Sequence, residues 1–440
     1  MTKVITYGTY DFLHEGHIRL LKRAKALGDY LIVGVTAEDF DKSRGKINVG
    51  QSLMERVEAI RQTGLADKII IEEYEGQKID DIRRYEADIF TVGSDWEGKF
   101  DYLNEFCKVV YLDRTEGISS TEIRSQNQEL RIGLVGETNI VNKFKNECRF
   151  VNGVKVSGIF ANGTGYLDDE LKKLISETTS FEALIDKSDA VYIASKPSEH
   201  YNQVKTALEN GVHVICESPV CMTQSEFSEV SAIAEEKRLV LMDGIKTAYS
   251  IAFNRMMLLI KGGIIGETLS VDTTCTSLMD IDDNCLPPHI WNSICAWGPT
   301  ALLPIFKILG TDFKQIMKFS KTLPSHRDFD LFTKVSFLYD NAVASIKVGQ
   351  GVKSEGEMVI AGTKGYIYVP APWWKTDYFE VRYENPSDNR RYFYQLEGEG
   401  IRYEILSFLN LIKGKVSYNQ VSPKISSKII RIVEEVSDTK

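Results

Sequence analysis

The chain has no excess of positive charge. Its 440 residues carry 53 Lys plus Arg against 62 Asp plus Glu, a formal net charge of -9. That argues against a general nucleic-acid or anionic-membrane surface and leaves any phosphate site to a local pocket. Paired cysteines are missing too. Seven are scattered without a Cys-x-x-Cys, and the even spacing of Cys275, Cys285 and Cys295 lacks zinc-ligand geometry, so reduced thiols in a cytoplasmic protein are expected. No apolar run reaches the ~18 residues that span a bilayer. The N-terminus enters a strand without the basic segment and apolar core of a signal peptide, so no membrane association is expected. What is present is an apolar fraction of 43%, ample for globular packing, over a length that implies two or three domains.

Histidine is sparse, 6 in all, yet two lie three apart within residues 5–21. Residues 4–7 read as a strand, Gly8 breaks it, and helical apolar spacing begins at Glu15. His14 and His17 then share one helix face beside backbone N–H groups without intrahelical partners, where an anion is held. Two imidazoles aimed at one point suit in-line displacement at phosphorus, where charge builds on the non-bridging oxygens. An isolated pair of this kind also fits a surface or metal-binding site. The second stretch, Arg114-Thr115-Glu116-Gly117-Ile118-Ser119-Ser120-Thr121, weighs against that. One cation, a glycine turn and three consecutive hydroxyls open a short helix at Glu122, a further phosphate cradle.

Together the two stretches resemble the cytidylyltransferase family, most closely its glycerol-3-phosphate branch. The first motif runs from Gly8 to His17 with Tyr10 for Phe, and the second carries Ser120 for Thr. Asp95 and Trp96, in the segment 95–101, look like the family's acceptor-side residues, so the resemblance covers about residues 1–126. It implies that CTP and a polyol phosphate give a CDP-polyol and pyrophosphate, with Mg2+ on the triphosphate. On that resemblance His14, His17 and Arg114 act at phosphorus, while Gly8, Thr9, Tyr10, Asp11, Ser119, Ser120 and Thr121 hold the nucleotide. Lys46 looks like the family's phosphate-binding lysine, in a basic loop at 41–50 with Lys42 and Arg44 that would clamp the pyrophosphate. Arg56 sits where the family has an arginine on the substrate side. Asp11 orients a histidine, holds Mg2+ through water, or caps the turn before the helix.

Strands expected at 30–36, 68–71 and 89–92 alternate with helices at 54–63 and 79–85. The fold class is therefore α/β, a doubly wound domain with its ligand at the carboxyl ends of the strands. The polar interval 125–129 marks a boundary, giving domains 1–127, 128–248 and 249–440. In the second, strands at 131–136, 154–161, 190–194, 213–216 and 239–242 and helices at 201–210 and 224–236 predict a Rossmann-like parallel sheet. From 269 onward β-rich segments predict a largely antiparallel α+β open sheet closed by helices at 401–412 and 425–435.

This second half resembles the Gfo/Idh/MocA oxidoreductase family, with worn motifs. The dinucleotide fingerprint keeps Gly136 but has Glu137, Thr138 and Asn139 after it, which weakens cofactor binding. Asn162 replaces the acid that would meet the ribose, so NADPH is as acceptable as NADH. The family's catalytic lysine falls at Ser218 after Glu217, and its His and Asp fall at Thr300 and Leu303. On the resemblance Gly136, Asn139, Asn162 and Glu217 face the cofactor. Lys246, His200 and His289 are candidate replacements for the missing acid, Lys246 the foremost. Two readings stay open. In one, the second half reduces a ketose phosphate to the alditol phosphate that the first half activates; in the other it is an inert dimerisation or ligand-binding module beside a glycerol-phosphate cytidylyltransferase. Both families suggest a homodimer or larger homo-oligomer. A ligand-sensing regulator is the weakest alternative, because the phosphoryl-transfer residues are intact.

Overall fold

The computed structural model describes the chain apart from residues 12, 14, 38–50, 52, 75, 114–128, 152, 176–177, 179, 280, 282–290, 328, 376, 395, 397, 415–420 and 438–440. It forms two compact units, Met1–Glu129 and Leu130–Lys440.

The first unit holds strands β1 (Lys3–Gly8), β2 (Tyr30–Thr36), β3 (Lys68–Glu72), β4 (Ile89–Gly93) and β5 (Lys108–Leu112) in the order β3-β2-β1-β4-β5. All neighbours are parallel. Helices α1 (Glu15–Lys25), α2 (Leu53–Gln62) and α3 (Gln77–Tyr85) are the crossovers. Both faces of the sheet are covered, which explains why the strands are nearly continuous apolar runs. Val4, Leu31 and Val33 pack to one side with Leu21 and Ala24 of α1. Ile5, Tyr7, Ile32 and Phe90 pack to the other, as the two-residue period of a strand requires. Helix α3 starts two residues before its apolar spacing does, because Gln77 and Lys78 are polar and yet buried.

The second unit contains a parallel sheet of β6 (Leu130–Val135), β7 (Val154–Phe160), β8 (Ala190–Ile193), β9 (His213–Glu217) and β10 (Leu241–Gly244), ordered β10-β9-β8-β6-β7. The order in which strands are added reverses at β6, between β7 on one side and β8 on the other, and a crevice at that switch point is where such sheets take ligands. Helix α4 (Asn139–Cys148) follows β6. An eight-stranded sheet follows, with β11 (Thr268–Thr276), β12 (Gln315–Thr322), β13 (Asp330–Leu338), β14 (Val343–Gly349), β15 (Met358–Gly362), β16 (Tyr366–Val369), β17 (Tyr378–Arg382) and β18 (Arg390–Phe393) in the order β12-β13-β14-β11-β15-β16-β17-β18. It is antiparallel except where β11 pairs with β14.

Of the elements that the sequence reading did not name, two were hidden for clear physical reasons. Helix Ser293–Ile308 contains Pro299 and Pro304, residues that signal a break in an isolated helix. It forms because it is buried on nearly all sides, with Ile294, Leu302, Leu303 and Ile305 fully enclosed. Strand β12 is an edge strand with mostly exposed side chains, so it carries no buried-face alternation. Among the described residues no helix is long and apolar enough to cross a membrane, and the described cysteines are free thiols.

Candidate functional site

In the first unit the site builds outward from the end of β1. Tyr10 has φ 53, a left-handed conformation unusual for a side chain of its size, and is buried. The turn folds its ring back over Gly8, where an added Cβ would lie 2.9 Å from the ring. The same ring meets that of His17 edge-on, with centroids 5.6 Å apart. His17 is in the first turn of α1, near the exposed N–H groups of that helix. Asp11 Oδ1 accepts from the Gln51 backbone N–H at 3.0 Å. Arg56 is fully buried and donates to the carbonyl oxygens of Thr9 and Thr36, both at 2.8 Å, and of Gln51 at 3.2 Å. Asp11 and Arg56 therefore stitch the segments after β1 and β2 together at the carboxyl edge of the sheet.

Beside this turn a hollow of about 50 Å3 is lined by Gly8, Thr9, Thr36, Glu72, Lys78 and Trp96, among others. The structure thus brings Gly8, Thr9 and Trp96 together. Lys78 and Glu72, which the sequence reading missed, form a buried ion pair there. The Lys78 ammonium stands 4.8 Å from the Tyr7 ring centroid, and Thr36 Oγ1 donates to Glu72 at 2.9 Å. The available signal was a charged residue at the end of an apolar strand and another opening the next helix. Tyr7 donates to Asp81 at 2.9 Å; burial, then the Asp81 charge, pushes its pKa well above the usual phenol value. His14, Lys46, Arg114, Ser119, Ser120 and Thr121 lie outside the described residues, as does the side chain of Asp95.

In the second unit a cleft of about 210 Å3 opens at the β6/β8 switch point, lined by Gly136, Glu137, Thr138, Asn162, Lys196, Glu199 and Trp291 among others. Gly136 has φ 120, and a Cβ there would sit 2.5 Å from the Ala194 carbonyl oxygen. The surviving fingerprint glycine is thus demanded by strand packing. Thr138 caps α4 without a side-chain capping bond, and its Oγ1 is buried with no partner among the described residues. That orphaned hydroxyl, the helix start, Asn162 and Lys196 fit a phosphate-bearing dinucleotide. Glu137 and Glu199 in the same cleft oppose it.

The next edge of that sheet collects carboxylates. Gly244 of β10 is in register with Glu217 of β9, so Ser218 and Lys246 emerge together. Glu217 accepts from the Tyr192 hydroxyl at 2.5 Å, and burial lifts its pKa to about 6. Burial, and then Glu217, raises Glu404 well above the usual carboxylate value. Lys246 faces both acids and donates to Glu399 at 2.7 Å. His200 is fully buried between the carbonyl oxygens of Pro219 at 2.8 Å and Ser195 at 3.0 Å. It is a packing residue at that edge, not an accessible acid. Thr300 and Leu303 fall within helix Ser293–Ile308, and His289 lies outside the described residues.

Asp243, on β10, is buried with no hydrogen bond of good geometry to either oxygen; burial raises its pKa to about 6, with Ser426 and Ser218 alongside pulling back part of the rise. A raised acid favours the folded state below its unfolded pKa and loses that contribution as pH climbs to about 6. Asp243→Asn should therefore stabilise the second unit by about 2 kcal/mol at pH 8, with the gain fading towards about pH 4. Unfolding midpoints of both proteins across that range check this. Equal midpoints at pH 8 would mean the carboxylate carries no buried-charge cost.

Comparison with known proteins gives these sites a class. Residues 5–126 match the family described as Cytidylyltransferase-like, and residues 130–245 the family described as Oxidoreductase family, NAD-binding Rossmann fold. A glycerol-3-phosphate cytidylyltransferase of Bacillus spizizenii is 46% identical over 130 residues, 30% of this chain and 100% of that protein. One from Staphylococcus aureus is 45% identical over 126 residues, 29% of this chain and 95% of that protein. Among solved structures, KijD10, a 3-ketoreductase from Actinomadura kijaniata in complex with NADP and TDP-benzene, aligns with TM-score 0.61 at 15% identity, over 70% of this chain and 96% of that one. At that identity the likeness speaks for the fold.

The first unit is accordingly that of a nucleotidyltransferase. More closely, the chain belongs to the cytidylyltransferase-like family, and it carries an oxidoreductase-family Rossmann domain behind that module. The two matches support a bifunctional arrangement, with nucleotide and sugar-phosphate substrates in general, and the NAD-binding Rossmann match supports a nicotinamide cofactor for the second half.

Proposed function

We propose that this chain makes a CDP-alditol in the cytoplasm. Residues 1–127 transfer the cytidylyl group and residues 128–440 supply the acceptor by reducing a ketose phosphate. The observation that carries the first part is the tight Gly8 to Asp11 turn against His17 at the mouth of a hollow holding Thr9, Lys78 and Trp96. An oxygen of the alditol phosphate attacks the α-phosphorus of CTP, the bond to the β-phosphate breaks, and pyrophosphate leaves. His17 and His14 hold the charge that builds on the α-phosphate oxygens, and Arg114, Ser119, Ser120 and Thr121 hold the triphosphate with Mg2+. Lys46 is assigned to pyrophosphate binding on the family resemblance. Trp96 and Lys78 line the acceptor side, and Asp95 is assigned to acceptor binding on the family resemblance.

For the second half, Thr138, Asn139 and the first N–H groups of α4 would hold the pyrophosphate of NADPH or NADH, with Asn162 and Lys196 at the ribose and Glu217 at the nicotinamide end. When bound, the dinucleotide supplies a hydride. Lys246 Nζ holds the proton that passes to the substrate's carbonyl oxygen. Fusion favours an alditol phosphate less common than glycerol phosphate, which general metabolism already provides. Exposed Met317, Phe319, Leu338 and Val343 on neighbouring strands β12, β13 and β14 support a homodimer or larger assembly.

The test is a pyrophosphate-release screen with CTP against a panel of alditol phosphates, run with and without ketose phosphate plus NADPH. CTP should be strongly preferred over ATP, and a ketose phosphate with NADPH should replace the preformed alditol phosphate. Comparable rates with ATP would place the first half in another branch. Failure of fructose 6-phosphate, ribulose 5-phosphate, xylulose 5-phosphate and dihydroxyacetone phosphate to consume NADPH would leave the second half as a module without reductase activity.

A further inference from the structure

Glu399 is surrounded by lysines from three separate parts of the second unit. Its carboxylate accepts from Lys143 of α4 at 2.9 Å, from Lys246 after β10 at 2.7 Å and from Lys375 at 2.9 Å. Burial raises its pKa, but the three ammonium groups outweigh this and hold it well below the usual carboxylate range. The backbone that presents it is strained. Glu399 has φ 53 between Gly398 at φ 58 and Gly400 at φ 90, and a Cβ on Gly400 would stand 2.8 Å from the Lys246 carbonyl oxygen. A residue other than glycine in the left-handed region costs free energy, so something holds this acid in place. All four side chains remain about 20 to 40% exposed, so an ion from solvent can reach them.

Three cations on one carboxylate exceed what one negative charge balances. Lys246 is shared with buried Glu217, which leaves Lys143 and Lys375 as the pair whose charge is least answered. A phosphate monoester carries close to two negative charges and three acceptor oxygens, a better match to this cluster than one carboxylate.

We infer that Lys143 and Lys375 form the binding site for the phosphate group of a sugar phosphate. Glu399 is a resident anion that this phosphate displaces, freeing Lys246. The inference rests on the reading of the second half as acting on a phosphorylated substrate, and it names where that phosphate is held. The Gly398-Glu399-Gly400 turn is the moving part, with a glycine on each side of the displaced residue.

The test uses the full chain and reads acylation of individual lysines by peptide mass spectrometry. Inorganic phosphate, fructose 6-phosphate and fructose are the probes, which keeps phosphate binding in the first unit out of the measurement. Both phosphates should slow labelling of Lys143 and Lys375, and fructose should not. In Glu399→Gln, half-protection should come at about tenfold lower phosphate concentration. In Lys375→Ala, a change at a partly exposed position that should leave the fold intact, protection of Lys143 should need about tenfold more. Labelling unchanged by either phosphate in both the wild type and Glu399→Gln, or equal protection by fructose, overturns the site. NADPH oxidation on the same proteins separates the two ideas. Protection without turnover keeps the phosphate site and discards the reductase. Turnover unchanged in Lys143→Ala and Lys375→Ala, without protection, discards the site and keeps the reductase.

Discussion

Replacing His17 with alanine should lower pyrophosphate release from CTP by about 10²- to 10³-fold or more while the first unit stays folded. His17 sits in the first turn of α1, half-buried, with its ring edge-on to Tyr10. Tyr10 is itself folded over Gly8 in a left-handed backbone conformation, so the imidazole packs against an ordered ring at the place proposed for the nucleotide's phosphates. Groups aimed in advance at developing charge contribute most in such a setting, because nothing has to reorganise during the reaction. Alanine is a better helix former than histidine, so lost activity would reflect lost chemistry and not a lost helix. Circular dichroism and a pyrophosphate assay on the same preparation decide it. Turnover close to wild type in a folded His17→Ala protein would remove His17 from the mechanism. The same expectation applies to His14→Ala.

Arg56→Ala should act differently, costing about 3 kcal/mol of stability in the first unit along with activity. The guanidinium is fully buried and spans three backbone carbonyls from two segments of chain, those of Thr9, Thr36 and Gln51. Truncation leaves those acceptors without their donor and opens a void between the Thr9 and Thr36 segments, and Arg56→Lys, with no fork, should recover only part of the loss. Denaturant unfolding together with kcat and KM separates this positioning role from direct contact with substrate. An unchanged unfolding midpoint with a raised KM would make Arg56 a substrate ligand instead.

Local pattern in the sequence was enough for much of this protein. The strand, glycine and helix at residues 4–17 are written in apolar spacing, and the structure places β1 and α1 there. The alternation of strands and helices predicted two parallel sheets, because runs buried on both faces are apolar throughout. The family motifs around His17 were legible for the same reason: consecutive residues on one turn carry them. Helix Ser293–Ile308 was not legible, since its two prolines argue against a helix until burial on nearly all sides outweighs them.

Tertiary structure alone decided which polar residues meet. Lys78 and Glu72 look like surface charges in the chain and become a buried pair lining a hollow with Thr9 and Trp96. Gly136 reads as a cofactor glycine, yet contact with the Ala194 carbonyl just past the end of β8 already requires it. His200 reads as a spare acid and is sealed between two carbonyls. Lys143 and Glu399 are 256 residues apart and end 2.9 Å from each other. Periodicity reports which face of an element is apolar. It carries no information on which polar side chains from distant elements converge, because that depends on how the sheets and helices pack.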